Sequence, residues 1–164
     1  MMTSRRIRAS MGNTRGGMGR RTVRALLVAG FLLIASALGF ACEFTFSLTD
    51  SNGDTRTVVP GSTVMIESGA SYVLTARYAE DHGRCTVPPE DTMFLLDEEK
   101  WRASKDHLPL RLTQDPSWED SEGGRTHETR LSFTALEEGE WTLEIVRECD
   151  RKEGYDESFV FSVS

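Results

Sequence analysis

From Glu43 onward, apolar side chains recur at every second position. Phe44, Phe46 and Leu48 alternate with Glu43, Thr45 and Ser47, and the same beat returns in Tyr72, Leu74, Ala76 and Tyr78. It recurs in Leu131, Phe133 and Ala135, in Trp141, Leu143 and Ile145, and in Phe159, Phe161 and Val163. A period of two puts alternate side chains on one face of a strand, whereas a helix needs a period of 3.6. Weaker runs fall at 57–59, 63–67, 92–96 and 108–113. Turn chemistry separates them: Asp50-Ser51-Asn52-Gly53-Asp54 offers the Asn-Gly pair that hairpin turns favour, and Pro60-Gly61 ends the next run. The expected fold is all-β, a β-sandwich of about seven or eight strands with no amphipathic helix. Residues 97–101 read as a short helical turn and 113–126 as a long polar loop. No linker splits the pattern, so residues 42–164 are expected to form one domain.

The chain before that pattern is chemically different. The sequence has 19 Lys and Arg against 26 Asp and Glu, yet seven arginines and no acid precede Cys42. The remaining twelve bases and 26 acids give the part from Cys42 a net charge of -14. Such a surface repels phosphates, which argues against nucleic acid as a partner. Arg20-Arg21-Thr22-Val23-Arg24 leads into the uncharged, Leu-rich stretch 25–41, the layout of an export signal. Residues 1–41 are therefore read as a signal peptide or membrane anchor, since the stretch lies at the lower edge of what spans a bilayer. Met11 and Met18 are alternative starts, and the pairs Arg5-Arg6 and Arg20-Arg21 leave the twin-arginine route open beside the general one. Cys42 after Ala41 resembles the lipobox of bacterial lipoproteins, which makes it a lipidation candidate; plain cleavage nearby is the alternative. The expected location is extracytoplasmic.

Export changes what cysteines do, because disulfides persist outside the cytoplasm. With Cys42 acylated or in a stem, Cys85 and Cys149 remain as a pair. Their bond would close a loop of about 65 residues and stabilise the domain by roughly 4 kcal/mol. The alternative is a metal-handling role for His82 with Cys85 and Cys149, which offers a single His-x-x-Cys spacing.

The final third reads Thr126-His127-Glu128-Thr129-Arg130-Leu131-Ser132-Phe133-Thr134-Ala135-Leu136, then Glu137-Glu138-Gly139-Glu140-Trp141-Thr142-Leu143-Glu144-Ile145-Val146-Arg147. A strand ending in Phe-x-Ala-Leu, a Gly turn and a second alternating strand resembles the closing hairpin of bacterial immunoglobulin-like domains. More narrowly, it is similar to the chagasin-type cysteine protease inhibitors, which are also exported β-sandwiches. In that family a Gly-rich loop precedes the hairpin, as Ser121-Glu122-Gly123-Gly124 does here, and Arg-Pro-Trp follows it. This chain has Arg147-Glu148-Cys149 at the second place, and Glu80-Asp81-His82-Gly83-Arg84-Cys85 where the family carries Asn-Pro-Thr-Thr-Gly. The resemblance implies an immunoglobulin-like sandwich and, as an alternative activity, inhibition of papain-family proteases.

Bridging Cys85 to Cys149 requires their Cα atoms within roughly 7 Å. The strands before them would then end on one rim, carrying Asp81, His82, Arg84, Gly123, Gly124, Arg147 and Tyr155 as candidate partner-binding residues on loops held by a rigid scaffold. Catalytic signatures are missing: there is no Gly-x-Ser-x-Gly elbow, His-Glu-x-x-His helix, phosphate loop or dinucleotide fingerprint. His107 and His127 read as surface residues, Glu98-Glu99 and Glu137-Glu138 as solvated turns, Trp141 as core, and Trp101 and Trp118 as edge covers. The sequence thus points to a non-enzymatic module without cofactor or resident metal that binds another protein.

Overall fold

In the computed structural model, residues 42–80, 85–121, 123, 125–150 and 154–164 are described. The proposed leader, 1–41, lies outside them. Alternation becomes strand wherever the sequence carries it. Strand β1 (Cys42–Thr49) turns at Asp50 into β2 (Thr55–Val58), and β3 (Thr63–Ile66) precedes the long β4 (Ser71–Glu80). After a 3-10 turn at Pro89–Asp91 come β5 (Met93–Leu96), β6 (Glu99–Lys100), β7 (Leu110–Leu112) and β8 (Trp118–Asp120). Strands β9 (Thr126–Ala135), β10 (Gly139–Arg147) and β11 (Tyr155–Val163) close the chain. Among the described residues no helix is long and apolar enough to cross a membrane.

The first turn behaves as its residues dictate. Gly53 sits at φ +90, where a Cβ would be strained, and the Asp50 carboxylate accepts the Asn52 and Asp54 amides at 2.8 and 3.0 Å.

Two sheets stack face to face. One runs β2-β1-β4-β9-β7, with β8 also paired to β9; the other runs β3-β11-β10-β5-β6. All pairs are antiparallel except β3 with β11. The inward residues interdigitate across the layers: Phe46 of β1 meets Phe159 of β11, and Phe133 of β9 meets Phe161 of β11. Burying one such side chain stabilises by roughly 1.5–3 kcal/mol, so the period-two rows supply the driving force for this layering.

Among the described residues there are eleven strands where seven or eight were expected, and the short β6 and β8 carry no alternation to read. Residues 97–101 are not a helical turn. Asp97 and Glu98 take positive φ angles of 46° and 67° and reverse β5 into β6, a primed hairpin built without glycine. Asp97 is held there by its amide on the Thr142 carbonyl and its carboxylate on the Thr142 amide, both at 2.9 Å. The polar loop 113–126 likewise contains β8, which pairs along the Trp118 to Asp120 stretch with Thr129, Glu128 and His127.

The tryptophans also redistribute. Trp101, expected at an edge, is only 1% exposed and packs on Phe133, with its indole N–H donated to the Leu110 carbonyl at 2.5 Å. Trp141, expected in the core, is half-buried and donates to the Glu137 carbonyl. Trp118 is half-buried, lying edge-on to Tyr78 and stacked on Phe94.

Candidate functional site

One end of the sandwich gathers three connections. Strand β4 finishes beside the start of β9, with Ala79 opposite Thr126, and β10 finishes beside the starts of β5 and β11, with Val146 opposite Met93 and Arg147 opposite Tyr155. The described residues of the three connections, 85–92, 121, 123, 125 and 148–150, therefore lie at the same end. Cross-links among their described residues bear this out: the Glu80 amide donates to the Arg125 carbonyl at 2.9 Å, and Thr86 donates to Asp150.

Arg147 organises this end from within. The inward beat of Leu143 and Ile145 carries its side chain into the core, where it is 1% exposed. Nη1 donates to the Pro88 carbonyl at 2.9 Å and Thr92 Oγ1 at 3.2 Å, while Nη2 donates to the Val87 carbonyl at 2.7 Å and the Tyr78 hydroxyl at 3.0 Å. The guanidinium carbon also lies 4.4 Å from the Tyr78 ring centroid. Among the described residues no carboxylate forms an ion pair with Arg147. Backbone and hydroxyl oxygens instead meet its two terminal nitrogens, while its buried Nε has no hydrogen-bond partner, and Tyr78 in turn donates to Glu80 Oε1 at 3.0 Å. The result pins the segment 87–92 to β10. The expectation of a partner-facing guanidinium gives way to an internal clamp.

A second polar cluster adjoins it. His127, expected at the surface, is 6% exposed and stacks on Tyr78 with ring centroids 4.7 Å apart. Its Nδ1 lies 2.6 Å from Asp120 Oδ1, and its Nε2 lies 3.6 Å from Glu80 Oε1. Thus β8 is fastened to the body of the first sheet. His107, by contrast, is exposed and meets Glu99 at 3.2 Å, as its polar surroundings suggested.

Cys85 and Cys149, both half-buried, are present as thiols, so the expected bond is not made here. Their sulfurs nevertheless come together: both Sγ atoms and one carboxylate oxygen of Asp150 lie within 4.8 Å of one another. Burial, foremost, and Cys149 push the Cys85 thiol up from its ordinary value, while the Val87 backbone donor and the Arg147 charge pull the other way. The Asp150 carboxyl is held below its ordinary value, chiefly by the Thr86 hydroxyl at 2.6 Å from Oδ2 and also by the Thr86 amide at 3.4 Å from Oδ1.

Of the other rim candidates, Gly123 is an exposed turn residue at φ +93. Tyr155 is half-buried against Phe44, with centroids 4.3 Å apart, and its hydroxyl is enclosed without a hydrogen-bond partner. Asp81, His82, Arg84 and Gly124 lie outside the described residues. Sequence reasoning missed Thr86, Asp150, Tyr78 and the Asp120-His127-Glu80 group. For His127 and Glu80 the signal was present, since each continues the inward beat of its strand.

No protein-family model matches the chain, and no curated protein matches it.

Proposed function

We propose that the chain is exported through its Arg-flanked apolar leader and that residues 42–164 form a non-enzymatic, immunoglobulin-like domain that binds another protein through the rim loops. Strand order supports the immunoglobulin-like assignment. Taking β1, β4, β9 and β7 as strands A, B, E and D, and β5, β10 and β11 as C, F and G, reproduces the two sheets of that fold in chain order. Within it β6 extends the second sheet beyond C, and β3 lies parallel beside G.

The observation that supports the binding role is the gathering of residues 85–92, 121, 123, 125 and 148–150 at one end over an internal Arg147 clamp. A scaffold that spends a buried cation on fixing surface loops presents a preorganised face, and preorganisation is what lowers the entropic cost of association. The exposed side chains there include Glu90, Asp120, Glu148 and Asp150 beside Arg125, an acidic set that suits a basic partner surface. In an oxidising compartment the Cys85 and Cys149 thiols would exchange with an oxidised thiol–disulfide catalyst, giving the bridge and the reduced catalyst, and tightening the same rim.

The test is capture from native membranes by the exported chain, comparing the wild type with a Glu148→Arg, Glu90→Arg double variant and with an Asn52→Arg control in the β1–β2 turn. The same protein should be retained by the wild type and the control and lost by the rim variant. Equal retention by all three overturns the assignment of the rim.

A second reading, inhibition of papain-family proteases, draws on the same three-loop face. Because Arg147 points inward, any wedge would consist of the loops that it holds. Titrating a papain-type enzyme with the purified chain decides this: undiminished activity at micromolar protein removes it.

A further inference from the structure

The dithiol at the rim has surroundings that a simple staple does not require. Cys85 Sγ and Asp150 Oδ1 stand 3.6 Å apart, and Cys149 Sγ lies within 4.8 Å of both. A tetrahedral ion with a metal–sulfur bond of about 2.3 Å and a metal–oxygen bond of about 2.1 Å sets sulfur and oxygen about 3.6 Å apart. The Cys85–Asp150 pair already has that spacing, and a small movement of Cys149 completes the face.

The outer groups fit as well. Metal-ligating carboxylates are oriented by their own hydrogen bonds, and Thr86 fixes both Asp150 oxygens, by its amide and its hydroxyl. Arg147 Nη2 stands 3.9 Å from Cys85 Sγ and has no carboxylate ion pair among the described residues. Two thiolates and a carboxylate exceed a divalent ion by one negative charge, and this arginine supplies the matching positive one. A bare disulfide, being neutral, leaves the buried cation without that compensation.

We propose that Cys85, Cys149 and Asp150 form a binding site for a thiophilic divalent cation such as Zn2+, with the fourth position left to water or an external donor. Binding displaces one proton from each thiol into solvent, and the ion's own charge makes the thiolates stable there. Metal and disulfide are then exclusive states of one pair. Oxidation of the two thiolates by a disulfide-bearing oxidant forms the sulfur–sulfur bond and releases the ion, while the oxidant's own sulfur–sulfur bond breaks and takes up two protons from solvent to give its dithiol.

Cobalt reports such a site directly. The exported chain, reduced and kept under argon, is titrated with Co2+ and then with Zn2+, and its secondary structure is followed by circular dichroism. One Co2+ per chain with a sulfur-to-metal charge-transfer band, displaced by Zn2+, is expected. Cys149→Ser should abolish the band. Asp150→Asn and Thr86→Val should weaken binding by roughly ten- to a hundredfold while leaving the fold intact. Zn2+ should also protect Cys85 from alkylation in the wild type. The proposal is overturned by a reduced, folded chain that gives no band, by a band that survives Cys149→Ser, or by a domain that unfolds on reduction. Because none of these readouts involves the rim's partner, failure here leaves the protein-binding reading standing.

Discussion

Arg147 shows how one side chain can hold a rim without facing it. Its substitution by alanine would take a charged donor from the part-buried Val87 and Pro88 carbonyls and from the buried Thr92 and Tyr78 hydroxyls, the last of which keeps its bond to Glu80. Losing a hydrogen bond to a charged group costs about 1.5–3 kcal/mol, and the exposed Pro88 carbonyl can turn to water, so Arg147→Ala should destabilise by about 2–3 kcal/mol in urea unfolding, with faster amide exchange over 87–92. Arg147→Lys should recover little, because a single ammonium cannot replace the planar fork. Tyr155 behaves in the opposite sense. Burial above all, with Glu157 beside it, holds its phenol well above the ordinary range, so the folded state favours the protonated form. That stabilisation is complete below the unfolded tyrosine value of about 10 and is lost as the pH rises toward the folded one. Tyr155→Phe removes an unpartnered hydroxyl and should raise stability by about 1 kcal/mol at neutral pH while flattening the alkaline loss, both measurable as urea midpoints against pH. These two residues were singled out in the sequence as surface groups. The beat of Leu143, Ile145 and Arg147 already set the inward parity, but a charged type at an inward place reads as the end of a strand unless its partners are known.

At the level of elements, what the sequence disclosed follows the strength of each local signal. Strands β1, β4, β9, β10 and β11 announce themselves because their apolar rows are long enough to fix both period and face. The β5–β6 reversal stays hidden because Asp97-Glu98 is not a turn pair that favours positive φ; tertiary bonds to Thr142 impose the conformation. β8 is hidden for a related reason: its three residues gain their place from pairing with β9 and from the Asp120–His127 contact, neither of which has a local signature. The turn yields a direct expectation. Glu98 is exposed at φ 67, so Glu98→Gly relieves left-handed strain and should stabilise by about 1 kcal/mol, read as a raised unfolding midpoint with unchanged slope. The rim cluster was legible only as far as the Cys85 and Cys149 pairing; Thr86 and Asp150 join it through loop geometry that no periodicity encodes.

For the molecule as a whole, both sheets draw strands from distant parts of the chain. β3 pairs with β11, and β7 and β8 share β9. No half of the sandwich can bury its inner face alone, so a chain beginning at Cys42 is expected to unfold in one cooperative transition, with coincident fluorescence and circular dichroism curves. Separate transitions would contradict a single domain over 42–164. The placement of Cys42 itself has a further consequence. It opens β1 directly opposite Glu80, at the very end where the three loops gather. If that residue carries acyl chains, no spacer separates lipid from sandwich, and the protein stands face-down on its leaflet. On the proposed binding role, its partner is then met by lateral diffusion in the plane of the membrane, from a neighbour embedded beside it. With the leader simply removed, the same face opens to solution and samples freely diffusing ligands, so processing at one position decides between a two-dimensional and a three-dimensional search.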